Sequence, residues 1–112
     1  SKSRNSYIQD EYNNLRLYIA KTIDAIEKLK EHDDDLDTIS SLEILKENTK
    51  ALDDIKNSRI DALIRENKID SKMATSLIND SSFAYDVTQK LIQVATILWI
   101  KDIDIRTLGA KI

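Results

Sequence analysis

At 112 residues the chain has room for one domain. Its formal charge of −3, with lysine and arginine spread along the chain, excludes the basic surface that a nucleic-acid binder needs. The absence of cysteine excludes disulfides, thiolate zinc sites and cysteine nucleophiles, while 41% hydrophobic residues supply the material for a modest core.

There is no proline, and the only glycine is Gly109. Both residues normally punctuate turns and sheets, so their absence predicts long helices joined by short polar turns. The expected architecture is all-α: three long antiparallel helices in an up-down-up bundle, over about residues 6–30, 38–66 and 71–100, with an irregular tail at 101–112.

In the first segment Ile8, Tyr12, Leu15, Ile19, Thr22, Ile26 and Leu29 recur at spacings of 4 and 3, which places them on one helix face. Tyr18 and Ile23 widen that stripe. Ser6 reads as the N-cap with Gln9 as its capping-box partner. The run Glu31-His32-Asp33-Asp34-Asp35 breaks the helix, because adjacent aspartates repel and compete for backbone hydrogen bonds. Asp37 then reads as the cap of the second helix. Its apolar positions are Ile39, Leu42, Leu45, Leu52, Ile55, Ile60, Leu63 and Ile64, with Thr49 and Lys56 interrupting the seam and a kink expected near Lys56 to Ser58.

Asn67-Lys68-Ile69-Asp70 forms the second turn, and Asp70 or Ser71 caps the third helix. There Ala74, Leu77, Ser81, Ala84, Thr88, Leu91, Ala95 and Leu98 recur at alternating 3 and 4, a seam of mostly small residues that lets helices approach closely. Ile78, Tyr85, Ile92 and Trp99 form one flanking row, and Phe83, Val87, Val94 and Ile97 the other. From Leu91 to Ile100 the helix is apolar nearly all round, so it is expected to be buried on more than one side. That run is about half the ~20 residues a membrane-spanning helix needs. Two partner helices do not comfortably cover so much apolar surface, so the third helix is expected to be the central one or to contact a further partner, with Leu91, Ile92, Val94, Ile97, Leu98 and Trp99 as the candidate interface. Lys101-Asp102-Ile103-Asp104-Ile105-Arg106 alternates and is expected to be irregular.

The candidate chemistry is sparse. His32 beside acidic residues is read as a solvated turn histidine, since a metal site needs a second ligand at suitable spacing. Asp33 to Asp37 lacks the glycine and ligand spacing of a calcium loop. Acidic pairs four apart, Glu31/Asp35, Asp33/Asp37, Glu43/Glu47 and Glu66/Asp70, fall near helix ends or on exposed faces. Asn79, Asp80 and Asp86 are candidate polar interaction positions within the most apolar helix: they face solvent, or Asp80 and Asp86 cap or hold a neighbouring helix, pair with Arg59 or Arg65, or ligate a metal. No nucleophile–base pair or phosphate-cradling glycine loop is present, so no catalytic residue, metal ligand or cofactor is assigned and the chain is not expected to be an enzyme.

Between Arg65 and Asp86 the sequence RENKIDSKMATSLINDSSFAYD resembles the PhoU-like helical region, in the form attached C-terminally to bacterial sodium/phosphate cotransporters. The residues that carry the resemblance are Asn67-Lys68-Ile69, Met73-Ala74-Thr75-Ser76-Leu77, Asn79-Asp80 and Tyr85-Asp86. The resemblance implies half of a PhoU-like bundle: a cytoplasmic regulatory domain tethered to the inner membrane through a transporter of the same polypeptide or its complex. Some members bind iron or zinc through a Glu/Asp-x-x-x-Asp step. The counterpart here ends at Asp86 and begins at Ser82, so no metal site is carried over. The chain, beginning at Ser1, reads as part of a longer protein. A free-standing helical dimerisation or signalling module is the alternative, with a homodimer as its partner state; a carboxylate metal bundle is a third reading.

Overall fold

The computed structural model describes residues 5–31 and 34–111. His32 and Asp33 lie outside these residues, as does Ile112. Three helices follow in order: α1 Ser6–Leu29, α2 Asp35–Arg65 and α3 Ser71–Lys111. Each packs against the other two, α1 and α3 running parallel and α2 antiparallel to both. The body measures 65 × 22 × 18 Å, and α3, at 41 residues and ~1.5 Å per residue, spans nearly its whole length.

The α1 cap is Asn5, not Ser6: the Asn5 side chain accepts from the backbone N–H groups of Tyr7 and Ile8 at 3.0 and 3.1 Å. An amide oxygen at this position satisfies two of the first turn's orphan donors, which leaves Ser6 inside the helix. Likewise α2 is capped by Asp34, whose carboxylate accepts from Leu36 and Asp37, so the helix starts at Asp35 rather than after Asp37. Asp35 and Asp37 therefore sit in the favourable first turn. Asp70 caps α3 by accepting from Met73 N–H at 2.8 Å.

The α2–α3 turn closes as a Schellman motif. Lys68 N–H donates to Leu63 O at 2.9 Å and Asn67 N–H to Ile64 O at 3.1 Å, with Asn67 in the left-handed region at φ 58°. Asparagine tolerates that conformation better than other residues with a Cβ, which is why this turn works without glycine. Ile69 follows and is buried at 6% exposure.

The core joins Leu15, Ile60, Ile69, Ala74, Leu77 and Ala84, with Ile8, Tyr12, Ile19, Leu63 and Met73 packed against it. The α1 stripe is as expected, all seven positions being buried or half-buried. On α2 the seam differs. Thr49 and Lys56 do not interrupt it; they are its buried members, together with Thr38, Leu42 and Ile60, whereas Leu52 and Ile55 are exposed. The buried and half-buried positions 38, 42, 45, 49, 53, 56, 60 and 63 form one continuous row, and α2 remains a single helix through the segment where a kink was expected.

α3 departs from expectation in two ways. Its buried row follows Ala74, Leu77, Ser81, Ala84 and Thr88 as expected, then moves to Ile92, Trp99 and Ile103, leaving Leu91 and Leu98 outside. A strict seven-residue repeat drifts ~20° per heptad on a straight helix, so three heptads accumulate more than half the step between neighbouring residues. The row must then advance by one position, which is what happens after Thr88. Second, residues 101–111 are helical rather than irregular. Asp102 and Arg106 are one helical turn apart and pair at 2.9 Å, and the same guanidinium reaches Asp35 of α2 at 2.9 Å. These i,i+4 and interhelical contacts favour helix over the alternating pattern.

Candidate functional site

Two features stand out beyond the core: a layer of buried polar residues at mid-bundle and an apolar groove along α1 and α3. The layer is assembled by the Thr49 and Lys56 positions on α2, Tyr18 and Thr22 on α1, and Ser81, Thr88 and Gln89 on α3. Tyr18 Oη donates to Thr49 O at 3.2 Å and accepts from Thr88 Oγ1 at 3.1 Å. Gln89 Nε2 donates to Thr49 Oγ1 at 2.7 Å. Burial pushes the Tyr18 phenol above its ordinary pKa, with the Thr88 hydrogen bond opposing.

Lys56 enters the layer with its side chain only 6% exposed. Its Nζ lies 2.9 Å from Asp53 Oδ1, 4.8 Å from the centre of the Tyr18 ring and 3.5 Å from Ser81 O. A buried ammonium needs such compensation, and here an ion pair, a π-face and a carbonyl supply it together. The Ser81 hydroxyl itself is buried without a partner, as is the Trp99 indole N–H.

Toward the Asn5 end, Glu11 is buried at 4% and receives Arg59 Nε and Nη2 at 2.8 and 3.0 Å, a bidentate pair joining α1 to α2. This hydrogen bond holds the Arg59 guanidinium above its usual pKa. Tyr12 Oη donates to Asp80 Oδ2 at 2.6 Å and links α1 to α3. Burial, then the adjacent carboxylate, raises the Tyr12 phenol to about 12.

The groove runs between α1 and α3. Near its start it is lined by Tyr12, Leu15, Ile19, Phe83, Ala84 and Val87. Further along it opens to about 520 Å³ between Ile23, Ile26 and Leu29 on one side and Leu91, Val94, Leu98 and Trp99 on the other. Its mouth carries Glu27, Lys30 and Asp102. Beyond α1's end α3 continues alone on that side, with Ile105 70% and Leu108 63% exposed.

The candidate interface residues thus divide. Leu91, Val94, Ile97 and Leu98 are exposed at 37%, 52%, 47% and 61%, Trp99 is half-buried, and Ile92 is a core residue at 1%. The drift of the buried row carries Ile92 inward and Leu98 outward. Of the candidate polar positions, Asp80 serves α1 through Tyr12, while Asn79 and Asp86 lie exposed. Neither Arg59 nor Arg65 pairs with them, since Arg59 is held by Glu11 and Arg65 by Asp61. Ser82 and Asp86 both face solvent, and among the described residues no three His, Cys, Asp or Glu side chains are grouped to hold a metal. The donor set at the Ser82–Asp86 step therefore does not fit the metal chemistry of the resembled family. No helix among the described residues is long and apolar enough to cross a membrane. The polar layer escaped sequence reading because Thr49 and Lys56 resemble interruptions; their spacing of seven, in phase with Leu42 and Leu63, was the available signal.

No family model, curated protein or solved structure matches this chain.

Proposed function

We propose that the chain is a non-catalytic regulatory or accessory module of phosphate uptake. In this reading it is a PhoU-like helical domain on the cytoplasmic side, tethered through a sodium-dependent phosphate transporter domain of the same polypeptide or its complex. The observation that carries the proposal is the resemblance from Arg65 to Asp86, on a turn and helix start whose residues Ile69, Ala74 and Leu77 are core. Among the matching residues Ile69, Met73, Ala74, Leu77 and Tyr85 are buried or half-buried and act by packing, which supports a function of helix docking. The open groove and the bare outer face of α3 support the same reading, because they offer apolar surface to another helix.

The test is sodium-dependent phosphate uptake by cells expressing the parent protein with and without this domain. A changed uptake rate, together with spanning-length hydrophobic segments in the parent gene, is expected. Unchanged uptake, or a parent gene lacking such segments, contradicts the proposal and leaves a free-standing dimerisation or signalling module, which the apolar groove also favours.

A further inference from the structure

The outer face of α3 carries a second heptad row, rotated away from the core. Counting 4, 3, 4, 3, 4 and 3 from Val87 reaches Leu108, and every stop except Lys101 is apolar. The row is ~32 Å long at 1.5 Å per residue, three heptads, the minimum at which such a repeat specifies a coiled-coil seam. All its apolar stops but the half-buried Val87 are exposed; Val87, Leu91, Val94 and Leu98 border the α1–α3 groove, and Ile105 and Leu108 continue the row past it.

We propose that two copies of this chain associate through this row, the α3 of the second copy lying antiparallel along the groove between α1 and α3. The proposal rests on reading the chain as a helix-packing module and names the partner of that surface.

Charge selects both the partner and the direction. In a parallel pair each position meets itself, so Lys101 would face Lys101, a like-charge contact inside an apolar seam. Antiparallel, with the two-fold axis level with residues 96 and 97, Lys101 falls beside Leu91 of the second copy. Its stem packs there while the ammonium reaches water. The same register sets Leu98 against Val94 and brings the exposed Phe83 (70%) to Leu108 (63%) at both ends of the row.

The adjoining row, at spacing seven, is Lys90, Ile97 and Asp104. Antiparallel pairing places Ile97 against Ile97 and Lys90 against Asp104, twice by symmetry. Among the described residues neither Lys90 nor Asp104 has an ion-pair partner within its own chain. The sequence is therefore complementary to itself in one orientation only.

Sedimentation equilibrium of the 112-residue chain from micromolar to millimolar concentration tests this. A monomer–dimer equilibrium is expected. Leu98→Asp is expected to weaken it by at least about tenfold, by placing a carboxylate in the seam, while helix content and melting at low concentration stay unchanged because Leu98 is outside the core. Lys90→Glu and Asp104→Lys are each expected to weaken association several-fold, and the double variant Lys90→Glu/Asp104→Lys to restore it. A wild-type chain that stays monomeric at millimolar concentration overturns the proposal, as does a double variant no better than its parents. A monomeric chain whose parent gene encodes spanning segments removes self-association alone; a dimer whose parent gene lacks them removes the transporter reading alone.

Discussion

The two halves of α3 invert the usual relation between hydrophobicity and burial. In the first half Ala74, Ser81, Ala84 and Thr88 are buried, although all four are small or polar. In the second half Val94, Ile97, Leu98, Ile105 and Leu108 are large, apolar and exposed. Position on the helix, not side-chain type, decides which residues the bundle covers. The first half is flanked by α1 and by α2 along its length, and small residues let those helices close in. In the second half Ile92, Ala95, Thr96, Trp99 and Ile103 still face neighbours, the α1 wall of Ile23, Ile26 and Leu29 leaves an open groove beside Leu91, Val94 and Leu98, and α3 then passes the end of α1. The lesson is that α3 serves two clients: a core inside the chain and an apolar face that the chain leaves uncovered.

That contrast can be broken deliberately. The largest effect is expected in the polar layer. Lys56→Ala leaves the Asp53 carboxylate, 15% exposed, without its ammonium. A loss of about 3–5 kcal/mol is expected in urea titration. Next is Leu77→Ala in the packed half, where a fully buried side chain at 0% exposure is replaced by a cavity; about 2–5 kcal/mol should be lost. Glu11→Ala removes the carboxylate that anchors Arg59, and about 1.5–3 kcal/mol is expected. Ser81→Ala removes a buried hydroxyl that has no partner, so the variant should be unchanged or more stable; a loss above about 1 kcal/mol would show that the hydroxyl is satisfied in solution.

A further effect concerns pH. The folded Tyr12 phenol, at about 12, titrates above its unfolded value near 10. The folded state therefore holds this proton more tightly, so the contribution is complete below about pH 10 and is lost as pH rises toward the folded value. Wild type should lose more stability between about pH 9 and about pH 11.5 than Tyr12→Phe does. Parallel melting curves for the two proteins over that range would remove the assigned role of the Tyr12–Asp80 contact.

Much of this arrangement was legible in the sequence. The three helices, the α1 stripe, the Asn67–Asp70 turn and the first half of the α3 seam follow from spacing and caps. The rest was hidden for physical reasons. Asn5 and Asp34 displaced Ser6 and Asp37 as caps because several capping residues stand side by side there, and only the backbone path selects one. Residues 101–111 read as irregular because their alternation conceals the Asp102–Arg106 turn and the long-range tie to Asp35. Leu91 and Leu98 were placed on the seam by a strict heptad, which a straight helix cannot keep for four turns of repeat. The groove was legible only as a surplus of apolar residues; that α1 forms its second wall requires the fold.

The central claim is that the core side of α3's second half runs through Ile92 while Leu98 lies outside it. The most direct measurement is the stability of Ile92→Ala and Leu98→Ala by urea unfolding at low protein concentration, where self-association does not contribute. Ile92→Ala should lose about 2–5 kcal/mol, and Leu98→Ala should stay within about 0.5 kcal/mol of wild type. Equal losses, or a larger loss at Leu98, would contradict the account and return the strict heptad to the core.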